Sequence, residues 1–255
     1  MEVHHTHHPA HKKKWNEYLL EFFMLFFAVT LGFFAENIRE HYVEKEREVK
    51  YLKNIHQDLK KDLEEIDTTI YYIDMKQTMA DSLFEKIKSN KIMENLSDFY
   101  YYNKSLGLRH LFENATNGFT QLNNSGGLRL IENKEIISKI QNYINYTQQA
   151  LSLQEFNENT LLNYRLKSAR ILNVITSTEM NEAQKLNEKR IYLRFSRPIH
   201  PLPLLSNNKE DINEVFNLIL GVVNTNKYFK ARLLGIRERA LQLDKLLVEE
   251  YGKDF

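Results

Sequence analysis

The amino-acid sequence predicts an all-α protein in which an N-terminal transmembrane helix continues into an antiparallel extramembrane bundle of about three long helices. Three observations carry that prediction. Only 8 Gly and 4 Pro occur in 255 residues, too little punctuation for a sandwich or barrel, whose chain must reverse often. Residues Tyr18 to Ala35, YLLEFFMLFFAVTLGFFA, are apolar or nearly so apart from Glu21 and Thr30. Beyond them Leu52, Ile55, Leu59, Leu63, Ile66, Ile70 and Ile73 recur at steps of three and four, which places them on one face of a helix.

Composition narrows the function classes. Lys plus Arg number 35 and Asp plus Glu 34, a net charge of +1, so the whole chain offers no field to draw in nucleic acid. With no cysteine, disulfide frameworks, thiolate zinc sites, iron–sulfur clusters and cysteine nucleophiles are excluded together.

Three regions follow in order. Residues 1–14 form a tail in which His4, His5, His7, His8 and His11 supply five of the nine histidines. Clustered imidazoles are candidate ligands for Zn or Ni. The plainer use of the same tail, with Lys12, Lys13 and Lys14, is a basic segment lying against anionic headgroups. Residues 15–36 read as the membrane span. At 1.5 Å per residue the apolar run covers roughly 27 Å, close to a hydrocarbon core of about 30 Å. Its Leu, Phe and Val residues favour insertion, while Glu21 lies near enough to the border for its carboxyl to reach the headgroups. Trp15 and Tyr18 suit the interfacial belt. Phe33 stands where a signal peptidase wants a small residue, so the helix is expected to stay attached. Lys12 to Lys14 precede the span and Arg39, Lys45, Arg47 and Lys50 follow it. The lysines sit closer to the bilayer, which places the N-terminus inside and the rest of the chain outside the cytoplasm.

Residues 37–255 read as a helical bundle domain. The first helix is expected to run straight out of the membrane to about Ser89, because ENIREHYVEKEREVKYLKNIHQDLKKDLEEI contains neither Gly nor Pro and is densely charged. A short helical segment is expected between Lys91 and Leu106, in preference to a strand at Phe99–Tyr102. A second long helix should start at Asn133, a good N-cap with Glu135 in the first turn, and reach about Thr176 with a break near Asn157 to Asn159. SRPIHPLP, Ser196 to Pro203, holds three of the four prolines and must connect elements. The last helix should cover Lys209 to Tyr251. No solenoid repeat is evident.

Candidate chemistry is sparse. Gly126 and Gly127 permit a tight turn before Asn133; without a GK[ST] ending they point to chain reversal and not to a phosphate cradle. Glu17 and Glu21 lie one turn apart at the membrane border. There is no HExxH, GxSxG, dinucleotide fingerprint or EF-hand loop, and His41, His56, His110 and His200 are scattered. No catalytic residue, cofactor site or enzyme activity is assigned.

Two segments carry a resemblance. MEVHHTHHPAHKKKWNEYLLEFFMLFFAVTLGFFAENIREH resembles uncharacterised single-pass membrane proteins of Gram-negative bacteria that open with a histidine-rich tail, a KKW-type border and a phenylalanine-rich span ending in GFFAEN. FTQLNNSGGLRLIENKEIISKIQNYI is similar to the pattern of a related domain of unknown function, through Leu122, Ser125, Gly126, Leu128, Leu130, Ile131, Asn133, Lys139, Ile140 and Tyr143. The resemblance implies an inner-membrane anchor with a periplasmic helical exterior, and no reaction or ligand. The expected function is a membrane-anchored, non-enzymatic interaction or scaffold module of the bacterial envelope, with the lipid bilayer and a protein partner or second copy as its contacts. The alternative is a ligand- or metal-responsive sensor using the bundle or the histidine tail.

Overall fold

The computed structural model of the chain describes residues 14–89, 91–187 and 190–255, with residues 181–194 described by their backbone alone. Its described residues form an all-α protein of six α-helices, and the apolar N-terminal run belongs to the first of them. Helix α1, Trp15–Lys88, is a single unbroken element of 74 residues, about 110 Å long at 1.5 Å per residue. It turns into a 3-10 segment at Ile92–Glu94 and then α2, Leu96–Leu106. The chain returns through irregular backbone, a short α3 at Asn117–Asn124 and a 3-10 turn at Gly127–Leu130. Helix α4 covers Lys134–Ser168, α5 Val174–Glu179 and α6 Lys209–Tyr251.

The starts of these helices follow from side-chain caps that satisfy amides lacking an intrahelical acceptor. Asn133 accepts from the Glu135 and Ile136 amides (2.7 and 3.4 Å), Asn208 from Glu210 (2.9 Å), and Asn95 from Asp98 (3.2 Å). Gly126 has φ of 64°, the left-handed region in which glycine carries no Cβ penalty, and it reverses the chain as expected.

The direction of each long helix can be read from the pairs it makes. On α6, Tyr251, Asp244, Arg237 and Lys230 meet Glu48, His56, Asp67 and Asp74 of α1, so α6 runs antiparallel to α1. Asn133, Asn142, Gln149 and Lys167 at the start of and along α4 meet Glu250, Arg239, Arg232 and Glu214, so α6 is antiparallel to α4 as well. Helices α1 and α4 are therefore parallel, because the return journey between them is made by the irregular segment 107–133. Two apolar clusters lie along the rod. The first, on the side of the N-terminal run, joins Leu52, Leu59 and Ile66 to Ile140, Leu233 and Leu247. The far one joins Ala80 and Leu83 to Phe99, Tyr164, Ile171 and Val222.

Three details depart from the sequence reading. Helix α4 has no break at Asn157 to Asn159: Asn157 is buried and its amide donates to the Thr225 carbonyl of α6 (3.4 Å), so a residue that favours turns is held inside a helix. The helix ends at Ser168, and the part expected to reach Thr176 belongs to the separate α5, capped by Asn173. A two-stranded antiparallel pair, β1 Asn181–Asn187 and β2 Arg190–Phe195, follows, with Asn181 opposite Phe195 and Lys185 opposite Ile191. The run Ile191-Tyr192-Leu193 suits a strand, but it is too short to have stood out against the helical remainder.

Candidate functional site

The first functional feature is an unanswered apolar surface. Along α1 Phe22, Leu25, Phe27, Val29, Leu31, Phe33 and Phe34 are more than half exposed, and Trp15 at the end is 81% exposed. No residue of the 18-residue apolar window is buried against the rest of the protein. A soluble monomer rarely shows contiguous apolar area on this scale. Among the described residues this is one helix long and apolar enough to cross a membrane. Glu17 and Glu21 both lie on it near the N-terminal border.

The second feature lies on the same helix, where charge is buried. Glu48, Asp58, Asp62, Glu65 and Lys76 of α1 are each at most 6% exposed, at spacings built from helical steps of three and four that put them beside the apolar stripe. Four of them hold the returning segment. Glu48 accepts from the Glu132 amide (3.2 Å), the Tyr251 hydroxyl (2.7 Å) and the Lys45 ammonium (2.6 Å). Asp58 accepts from the Gly118 amide (2.6 Å). Asp62 accepts from the Ala115 amide (2.5 Å) and from the Tyr143 hydroxyl of α4. Lys76 donates to the Leu108 carbonyl. His110 completes the series, its ring stacked 4.3 Å from Tyr72, with Nε2 3.2 Å from the Thr69 hydroxyl and 3.5 Å from Glu65. The α1 positions rise from 48 to 76 while their partners fall from 132 to 108, so the contacts close like an antiparallel zip.

The physical need is plain: irregular backbone inside a bundle has amides and carbonyls with no helical partner, and each one buried without a partner costs about 1–3 kcal/mol. The side chains of α1 supply those partners. Burial pushes the Asp62 carboxyl up to about 6 despite the donors facing it, and pushes the Tyr143 hydroxyl far above its ordinary value with help from Asp62. Burial likewise pulls the Lys76 ammonium down to about 8. Asp62 and Asp58 are at most 2% exposed and spent on backbone amides, so their chemistry is that of a structural seam.

No family model, curated protein or solved structure matches this chain. Its site residues must therefore be read from geometry. His4, His5, His7, His8 and His11 lie outside the described residues. Among the described residues no group of three or more His, Asp or Glu side chains is placed to hold a metal ion. His56 pairs with Asp244 (2.6 Å) and lies 5.0 Å from the Phe255 ring, tying α1 to the C-terminus. His41 lines a groove with Glu40, Glu44 and Arg129 where α1 enters the bundle, and His200 is exposed in the proline-rich connector. The structure thus brings together none of the four scattered histidines. Sequence reasoning missed the acidic seam because Asp58, Asp62 and Glu65 stand among Lys60, Lys61 and Glu64 in a run that looks solvated throughout. Their place one position before Leu59, Leu63 and Ile66 was the available signal.

Proposed function

We propose that the chain is a single-pass protein of the bacterial inner membrane, with its N-terminal tail in the cytoplasm and its bundle in the periplasm, where it serves as a non-enzymatic interaction or scaffold module. The observation that carries this reading is the continuity of α1, which joins a fully exposed apolar segment to the bundle core with no hinge between. Lys12 to Lys14 beside the span favour the tail as the inside end, and the resemblance of the first 41 residues to Gram-negative single-pass proteins supports the same compartment. A helix that both anchors and organises the core fixes the height and tilt at which the bundle is displayed, which is a property of a scaffold.

The surface offered to a protein partner or second copy is on α6. Leu234, Leu241 and Val248 repeat at seven residues and are 48%, 44% and 47% exposed. Such a seven-residue repeat forms a straight outward stripe suited to another helix. Two copies in one membrane stand parallel and bring like stripes together.

The test begins with resistance to alkaline carbonate and with C-terminal reporters active on only one side of the membrane. Retention in the pellet and an outside C-terminus are expected; release by carbonate removes the span, and a cytoplasmic C-terminus inverts the arrangement. In the second stage, Leu234→Glu with Leu241→Glu is expected to abolish cross-linked species in native membranes while leaving the thermal melt within about 2 °C of wild type. Unchanged cross-linking would remove α6 as the contact surface.

A further inference from the structure

The far end of the bundle carries a cleft of about 460 Å3 bounded by α2, the end of α4, α5 and Phe195 of β2. That volume lies within the range of sites for small organic ligands. Its walls are apolar at Leu108, Leu172, Val174 and Phe195, and two cations, Lys104 and Arg165, stand on it together. Lys104 is half-buried and Arg165 stands exposed at the rim, so the cleft presents two cations to a solute. Among the described residues neither Lys104 nor Arg165 has a carboxylate within salt-bridge distance. Arg165 spends Nε on the Gly107 carbonyl (2.7 Å), and Lys104 lies 5.1 Å over the Phe195 ring.

A third group points the same way. Ser168, which also lines the cleft, is 6% exposed; among the described residues its hydroxyl makes no hydrogen bond of normal geometry, its one polar neighbour being the Tyr164 hydroxyl, which already donates to Asn103. A buried hydroxyl without a partner is costly and calls for a ligand or water. Burial and the neighbouring Arg165 both lower the Lys104 ammonium below its ordinary value, the direction expected of a cation with no counter-charge. The other large clefts lack this combination. The groove at Asn114, Thr120, Asn123 and Gln148 is lined by neutral polar groups, and the groove at Glu40, Glu44, Glu48 and Glu132 is acidic.

We propose that this cleft binds a small amphipathic organic carboxylate, its anionic head between Lys104 and Arg165 and within reach of Ser168, its apolar body against Leu172 and Phe195. Two cations and one hydroxyl suit a single carboxylate. No glycine-rich run of amides is present to cradle a polyphosphate, and the apolar wall disfavours a bare inorganic ion. The site lies on the far cluster of the bundle, away from the α6 stripe, and binding there is independent of how the protein meets its partner.

The experiment uses the full chain in lipid nanodiscs, titrated calorimetrically with 2-naphthoate against empty nanodiscs as the blank. A saturable one-to-one isotherm is expected, with the neutral analogue 2-naphthalenemethanol binding about tenfold more weakly or worse, the loss typical of one charge-assisted contact. Lys104→Met is expected to weaken naphthoate by about tenfold and Lys104→Arg to restore it to within about threefold. Absence of saturable heat above the blank overturns the proposal. So does equal affinity for the alcohol, or for inorganic sulfate. Equal affinity in the Lys104→Met protein overturns the placement of the head. If Lys104→Met fails to keep the wild-type circular dichroism, the comparison of carboxylate with alcohol on the wild-type protein decides alone.

Discussion

Asp62 shows how a single residue can be both necessary and costly. Its carboxyl accepts from Ala115 and Tyr143, yet burial holds it at about 6, above the ordinary carboxylate value of 3.8. Between those two values the folded protein holds more protons at Asp62 than the unfolded chain, so this group makes stability rise as pH falls from 7 towards 4. Thermal melts across that range should show wild type gaining on Asp62→Asn as the pH drops; parallel curves would remove the raised carboxyl. Asp62→Ala, which orphans the Ala115 amide and the Tyr143 hydroxyl, is expected to cost about 2–3 kcal/mol in denaturant unfolding at pH 7. Gly118 makes a different demand. A Cβ there would lie 2.7 Å from the Ile55 amide nitrogen and 2.8 Å from the Asn54 carbonyl carbon, backbone atoms of α1 that cannot step aside. Gly118→Ala should therefore lower stability by about 1–3 kcal/mol, and an unchanged chemical melt would contradict so close an approach. Neither residue was legible beforehand. Periodicity marks apolar faces, and it is silent about an acid whose partner is the backbone of a segment more than fifty positions away.

At the scale of elements, the long helices were the legible part. Helix α6 occupies the span expected from its pattern, Asn133 caps α4, and α1 leaves the apolar run unbroken as far as Lys88. Each is long, strongly periodic and bounded by a cap or a proline-rich connector, so local signals suffice. Of the short elements, the helical segment expected between Lys91 and Leu106 is present as α2, whereas α3, α5 and the strand pair escaped. Helix α3 lies in a polar stretch, NGFTQLNN, whose inward residues are only Gly118, Phe119 and Leu122, and its place is fixed by contact with α1. The break expected in α4 failed because α6 supplies an acceptor for Asn157. Substituting α1 tests both of its roles. Leu59→Asp and Ile66→Asp, at positions with no exposure, should each abolish cooperative thermal melting of the bundle, since a buried charge without a partner costs several kcal/mol. Glu44→Pro falls between the apolar run and the first buried residue, Glu48. It should leave the melt of the bundle nearly intact while broadening spin-label distance distributions between residues 38 and 60, because proline interrupts the helix there.

For the whole molecule, burial begins at Glu48 along α1, so nothing before residue 39 contributes a buried side chain. A chain lacking residues 1–38 is expected to leave the membrane fraction and keep the wild-type melting temperature to within about 3 °C. A collapse of the melt would mean that the N-terminal helix takes part in the core. The same arrangement returns the C-terminus towards the apolar N-terminal stretch of α1: Tyr251 meets Glu48, and Lys53 donates to the Phe255 carbonyl (2.6 Å). Among the described residues the turn linking α1 to α2, the end of α4, the region from α5 to the proline-rich connector and the start of α6 stand at the far end. An unbroken helix between apolar run and bundle also works as a protractor. Each residue added to the exposed stretch from 39 to 47 would swing the bundle by about 100° and raise it by about 1.5 Å, whereas seven added together would bring it round to within about 20° of its first bearing. The compass direction in which the α6 stripe faces, relative to the apolar run, is thus written in the number of residues between that run and Glu48, whatever their identity.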